Sequence, residues 1–251
     1  MRWRWRRGSR MFAELHQPGD PLLLPNAWDH ASGAALAAAG FKAIGTTSLG
    51  VAAAIGVRDG ANETKQATYE LAKRLAHLPV PITVDAEHGF SEDPQEVADY
   101  AQRLEALGVA GINLEDRNQD PNHHAEAITA VKQATNLFVN ARTDTYWLGD
   151  GTGTEARCRT YIDAGADGIF VPKAPEHEIE TLANLGAPLN VLFLPGTTIE
   201  RLASLGVARI STGSLLYRRA LGAALEAMHA ITAGDEPPPA PSYDEVDAYQ
   251  R

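Results

Sequence analysis

Eight times along the chain the sequence repeats one unit: a short apolar run rich in β-branched residues, a polar or glycine-bearing turn, then an Ala/Leu/Glu-rich stretch with helical spacing. The strand-like runs are 22–26, 43–47, 82–87, 111–115, 138–142, 168–172, 189–193 and 208–212. Helical spacing falls near 30–39, 65–77, 94–107, 123–134, 154–164, 176–185, 198–205 and 214–232. Strict alternation of strand and helix implies parallel pairing, because each helical crossover carries the chain back to the start of the next strand. Eight units predict an α/β chain folded as a single (β/α)₈ TIM-type barrel. An open doubly wound sheet is the runner-up, but the first strand-to-helix turn lacks its phosphate-binding G-x-G-x-x-G pattern. Gly40, Gly108, Gly165 and Gly206 each follow a predicted helix, where a left-handed residue stops the helix and turns the chain.

A chain of 251 residues lies inside the range that such barrels occupy as one unit. The barrel is assigned to 16–235. Residues 1–15 form a basic leader expected to fray, with Arg2, Arg4, Arg6 and Arg7 interleaved with Trp3 and Trp5 and without the apolar stretch of a secretion signal. Residues 236–251 form a proline-rich break and a polar tail. With 44% hydrophobic and 22% charged residues the chain has enough apolar material for a large core. Its formal net charge of -10 argues against nucleic acid as a partner. No run reaches the roughly 18 apolar residues of a membrane span, and Cys158 is the sole cysteine, which excludes an intrachain disulfide. No membrane partner and a cytoplasmic location are the expectation.

Barrel enzymes build their sites at the C-terminal ends of the strands. In Thr83-Val84-Asp85-Ala86-Glu87 the strand period of two points Asp85 and Glu87 to one side. The same parity sends Asn113 and Glu115 inward in the next strand, and Asn140 and Arg142 in the one after. Three consecutive strands thus present Asp85, Glu87, Glu115 and Arg142 to one cavity. Carboxylates crowded together repel unless a cation or proton neutralises them, and an all-oxygen donor set suits Mg²⁺ better than Zn²⁺. The alternative is a salt-bridge network in which Arg142 and nearby basic groups pair the acids.

The chain carries Pro25-Asn26-Ala27-Trp28-Asp29, Gly45-Thr46-Thr47-Ser48-Leu49-Gly50, Gly56-Val57-Arg58-Asp59, Val84-Asp85-Ala86-Glu87-His88-Gly89-Phe90, Asn113-Leu114-Glu115-Asp116 and Asn140-Ala141-Arg142-Thr143-Asp144. In order and spacing these resemble the motifs of the isocitrate lyase/phosphoenolpyruvate mutase superfamily, and the likeness extends to 188–192 with Asn190 and to 209–213. The resemblance implies a Mg²⁺-dependent enzyme acting on a small 2-oxo carboxylic acid through a pyruvate-type enolate. It implies that Asp85 contacts the metal and that Glu87 and Glu115 reach it directly or through water. It further implies that Arg142 steadies the enolate oxygen, that Thr47, Ser48 and Leu49 bind substrate oxygens, and that Asp59 lies on a gating segment. Members of the family assemble as dimers or tetramers by exchanging the final helix, which makes a homodimer or homotetramer the expectation here, with 217–231 as the exchanged segment.

Family members that cleave isocitrate-like acids resemble one another in a Lys-x-Cys-Gly-His loop. This chain reads Asp116-Arg117-Asn118-Gln119-Asp120-Pro121-Asn122-His123-His124 there, without cysteine. That favours mutase-, phosphonopyruvate hydrolase- or oxaloacetate-type chemistry over a 2-methylisocitrate or alkylmalate C–C lyase, with Asn118 or Asn122 as stand-ins for the mutase loop's Asn or Thr. Cys158 falls inside a helix and reads as a packing thiol. His88 is a candidate proton donor, or else a hydrogen-bond partner of Glu115 or Asp116. His123 and His124 are expected to cap the following helix or face solvent. Tyr146 and Trp147 are placed near the cavity mouth, and Asn190 is a candidate substrate contact because a buried amide needs partners. Two other classes compete: a barrel that binds a 2-oxo acid without turning it over, and an unrelated metal-dependent pyruvate aldolase in which Asp85 is dispensable.

Overall fold

The computed structural model describes residues 9–249. Among them are nine parallel strands: β1 Leu22–Leu24, β2 Asn26–Ala27, β3 Ile44–Thr46, β4 Ile82–Asp85, β5 Gly111–Glu115, β6 Phe138–Arg142, β7 Gly168–Phe170, β8 Leu189–Leu192 and β9 Arg209–Ser211. Their order is 1-9-8-7-6-5-4-3-2. β1 pairs with β9 and β2 with β3, and only Pro25 separates β1 from β2, so the order returns on itself through one residue. The expected eight-stranded barrel is present, its first strand split where proline has no N–H to give the ladder.

A side chain takes over at that seam. Asn26 Oδ1 accepts from the backbone N–H groups of Thr212 (3.0 Å) and Gly213 (2.9 Å), while Nδ2 donates to the Thr46 carbonyl (2.7 Å). One buried amide therefore ties the last, first and second barrel positions together.

The eight outer helices fall within two residues of their expected bounds. Two start at an Asp-Pro pair, with Asp93 accepting from the Gln95 N–H and Asp120 from the Asn122 N–H, each at 2.9 Å. The second of these starts the helix Pro121–Ala134 two residues early, so only residues 116–120 separate it from β5. All four pivot glycines have the left-handed conformation expected of them, with φ between 85° and 104°. Three short helices escaped the sequence pattern: Ser48–Ala54, Thr145–Leu148 and Tyr243–Ala248. Four to seven residues give too few turns for a 3.6-residue period to show.

Outward-facing Ile44, Val84, Ile112 and Val139 pack against Leu75, Leu104, Ile128 and Val131 of the helices. On the other side of the barrel Ile169, Val191 and Ile210 meet Ile179, Leu182 and Leu202, with Cys158 in the same cluster. The barrel floor is sealed by the segment before β1. Phe12 is fully buried, meets Phe138 edge-to-face at 5.4 Å, and lies beside His16, which stacks on Phe138 at 4.3 Å. A Cβ at Gly111 would sit 3.0 Å from the Phe12 ring and 2.8 Å from the Phe138 carbonyl, so the plug fits only over glycine. The frayed leader expected over 1–15 is thereby corrected for its second half: residues 9–14 are helical and Phe12 belongs to the core. Residues 1–8, with the Arg/Trp cluster, lie outside the described residues.

The final barrel helix Leu215–Ala233 has no buried residue, and Leu221, Leu225, Met228 and Ile231 are each more than half exposed along one stripe. Exchange of this helix between subunits is not shown. No described helix is long and apolar enough to cross a membrane.

Candidate active site

A cavity of about 310 Å³ opens at the C-terminal ends of the strands. Thr47, Ser48, Leu49, Asp59, Asp85, Glu115 and Arg142 are among the residues that line it. Strand register brings this about. Asp85 is level with Asn113 and Glu115 with Arg142, so parity along each strand turns the polar residues inward while Val84, Leu114 and Ala141 stay buried among apolar neighbours.

Asp85 is held from two directions. Its backbone N–H donates to Thr46 Oγ1 (2.8 Å), and its Oδ2 accepts from the Ser48 N–H (3.3 Å). Arg142 is clamped by Glu115 Oε2 (2.8 Å) and Asp144 Oδ1 (2.6 Å). Trp147 and Phe170 present their rings to the guanidinium with centroids 5.8 and 5.7 Å away. Burial pushes the Glu115 carboxyl above its ordinary range, against the pull of Arg142, and Asp85 adds to the rise. Burial likewise raises Asp59, with the Asp85 carboxylate contributing.

Beneath these groups Asp116 pins the end of β5 to β6. Its Oδ2 accepts from the Tyr161 hydroxyl (2.6 Å) and Arg157 Nη1 (2.9 Å), and its Oδ1 from the N–H groups of Asn118 (2.8 Å) and Asp144 (2.9 Å). Four donors hold its carboxyl below the usual range, although burial alone would raise it. The neighbouring loop is tight, with Arg117 and Asn118 both left-handed (φ 50° and 56°). Arg117 reaches the cavity edge while donating to Glu92 at 2.6 Å.

Several expectations need correction. β4 ends at Asp85 and Glu87 is left-handed (φ 49°), so the period of two does not carry on to it. Its carboxylate is buried behind the cavity wall, where it accepts from the Thr64 hydroxyl through Oε1 and leaves Oε2 without a partner. Burial raises it to about 6, with Thr64 opposing and Asp85 adding. Asp85, Glu87 and Glu115 consequently do not converge as a direct ligand trio, and among the described residues no three His, Cys, Asp or Glu side chains do.

His88 points into a separate small pocket beside Glu92, Arg117 and His123. Burial and Arg117 depress it to about 4, so it is neutral at pH 7 and off the main cavity, which removes the geometric basis for a proton donor. Asn190 lies below the cavity, its Oδ1 accepting from Ser211 Oγ at 3.2 Å and its Nδ2 without a partner. His124 is buried against Tyr161 at 4.7 Å rather than capping or solvent-facing. Asn118 and Asn122 do not line the cavity, nor does Tyr146, whereas Trp147 does. Cys158 is fully buried and its thiol is pushed up to about 12, which fits the packing role.

Asn26, Asp116, Asp144, Arg117 and Ser211 were missed as site-building residues. Asp116 and Asp144 stood next to Glu115 and Arg142 in the motifs, but their service to the backbone of a neighbouring strand is a three-dimensional property.

The phosphoenolpyruvate phosphomutase family profile matches residues 12–232. An uncharacterized protein of Mycobacterium tuberculosis is 46% identical over 247 residues, which is 94% of this chain and 95% of that protein. The 2-methylisocitrate lyase of Bacillus subtilis is 31% identical over 184 residues, covering 67% of this chain and 60% of the lyase. A Burkholderia cenocepacia J2315 protein provisionally named a phosphonomutase superposes with a TM-score of 0.82 at 35% identity, covering 87% of this chain and 98% of that structure. The chain belongs to the phosphoenolpyruvate phosphomutase family.

Proposed function

We propose that this protein is a Mg²⁺-dependent enzyme that cleaves, forms or rearranges a C–C or P–C bond next to the 2-oxo group of a small carboxylic acid. The observation that carries this reading is that one cavity is lined by both a clamped guanidinium, Arg142, and an inward carboxylate, Asp85. The donor set suits a hydrated cation. Asp85 has one carboxylate oxygen engaged by a single long N–H bond, Glu115 stands close by, and Glu87 keeps an unpartnered oxygen behind them. One direct carboxylate contact with the remaining acids acting through water is the mode Mg²⁺ prefers. Asp85 would hold the ion, with Glu115 and Glu87 behind bound waters.

Mg²⁺ bound there supplies Lewis-acid polarisation of the oxo and carboxylate oxygens. The chain's own groups do the rest. Arg142 donates where negative charge collects as the adjacent bond breaks, and its two acid partners fix its fork before substrate arrives. Thr47, Ser48 and Leu49 orient the substrate carboxylate from the turn beside Asp85, and Asp59 adds to the lining there. The loop 116–120 has no cysteine and Cys158 is inaccessible, which favours mutase-, hydrolase- or oxaloacetate-type chemistry over a cysteine-assisted isocitrate-type cleavage.

Purified protein with Mg²⁺ is expected to release pyruvate from at least one of phosphonopyruvate, oxaloacetate, 2-methylisocitrate and an alkylmalate, and to stop when a chelator is added. Turnover that survives chelation would sink the Mg²⁺ reading. Turnover confined to 2-methylisocitrate or alkylmalate would select the C–C lyase branch instead. Silence across the set, with the acids still bound, would make the barrel a binding protein.

We also propose that the working unit is a homodimer or homotetramer in which a second copy covers the stripe of Leu221, Leu225, Met228 and Ile231. About 15 Å of uncovered apolar helix face of this kind seldom persists on a monomer. Light scattering is expected to give a multiple of 26.9 kDa that falls to the monomer in Leu225→Asp. A wild-type mass of one chain contradicts it.

A further inference from the structure

Among the described residues the largest fully buried side chain is a cation. Arg209, the first residue of β9, points into the barrel interior below the cavity and donates through Nη2 to Asn113 Oδ1 at 3.2 Å. Nε and Nη1 have no hydrogen-bond partner. Among the described residues it makes no ion pair, and the face of Phe12 lies 6.0 Å from the guanidinium carbon. The amides around it are neutral: Asn113 is shared with Asn140, and Asn190 stands at the same register on β8.

Guanidinium does not give up its proton under ordinary conditions, and burying it without a carboxylate is costly. Burial pulls Arg209 down to about 9, still protonated at neutral pH, and Asp85 is the acid that opposes the drop. Below it His16 is kept neutral, depressed to about 3 by burial and by Arg209 itself. The charge thus has no carboxylate partner of its own. The acids gather at the cavity, where Asp59, Asp85, Glu115 and Asp144 outnumber the two cations Arg117 and Arg142.

We propose that Arg209 is a positioning residue that acts as the fixed counter-charge of the site, weakening its hold on a bare divalent cation and strengthening its hold on an anionic oxo acid bound together with that cation. This rests on the cation-plus-oxo-acid reading above. One positive charge beneath an acidic pocket repels a second and favours the doubly anionic ligand, so cation and acid bind better together than apart. The acid excess recruits the ion, and Arg209 keeps it from being trapped before substrate enters.

The test is calorimetric titration of the whole protein with Mn²⁺ alone and with oxalate at saturating Mn²⁺, for wild type, Arg209→Gln, Arg209→Lys and Asn190→Asp. Arg209→Gln is expected to bind Mn²⁺ roughly tenfold more tightly and oxalate roughly tenfold more weakly, the scale of one unit charge acting through a protein interior. Arg209→Lys should stay near wild type in both. If Arg209→Gln does not fold, Asn190→Asp, which sets a carboxylate beside Arg209, should shift the two affinities with the same opposite signs. A merely structural role would move both affinities down together or move neither, and either result overturns the inference while oxalate binding by wild type stands. Failure of wild type to bind oxalate with Mn²⁺ overturns the reading on which the inference rests, and the inference with it.

Discussion

Replacing Arg142 with methionine is expected to lower kcat by about 10²–10³-fold, with a smaller change in KM, on whichever substrate the wild type turns over. A preorganised donor aimed at developing negative charge is worth that much when removed alone, because it is felt more strongly in the transition state than in the ground state. Arg142→Lys should recover little of the loss. The fork is what satisfies Glu115 and Asp144 at once, at 2.8 and 2.6 Å, and an ammonium cannot span both in the same plane. Steady-state kinetics with a melting curve for each variant checks this. A loss of less than about threefold in a folded Arg142→Met protein would remove Arg142 from the chemistry.

The second large effect is on stability. Asp116→Ala is expected to destabilise the protein by about 3–5 kcal/mol, since it strands a partly buried Arg157 and a buried Tyr161 hydroxyl and frees two backbone N–H groups. Asp116→Asn should cost less, because one amide oxygen can still accept. The folded-state carboxyl lies below its unfolded value, so its stabilisation is fully present above about pH 4 and is lost as pH falls through the folded value. Denaturant unfolding at pH 7 measures the difference. Equal midpoints and slopes for Asp116→Ala and wild type would show that the network does not hold the two strand ends together. Activity should fall as well, because Glu115 and Arg142 take their places from the same β5–β6 junction.

Most of the fold was legible because its signals are local. Alternating apolar runs and glycine stops each act within a few residues, and barrel closure follows from their number. What escaped was set by tertiary contact. Phe12 reads as part of a basic leader until Phe138 and the bare backbone of Gly111 provide its seat. Within the site, parity placed Asp85, Asn113, Glu115, Asn140 and Arg142 correctly because each sits inside a strand. It failed for Glu87 because β4 stops at Asp85 and the chain turns left-handed two residues later. Asn190 was read as a substrate contact from its place on β8, yet it does not line the cavity and stands at the register of a buried Arg209 whose lack of an ion-pair partner no sequence pattern could announce.

Asp85 and Arg142, lining one cavity, are proposed to hold a small oxo acid together through a divalent ion. Titration of oxalate into wild-type protein and into Asp85→Ala, each with Mg²⁺ and with chelator, tests it most directly. The account predicts binding by wild type only when Mg²⁺ is present and none by Asp85→Ala under either condition. Oxalate binding that is indifferent to Mg²⁺, or retained in full by Asp85→Ala, would contradict it.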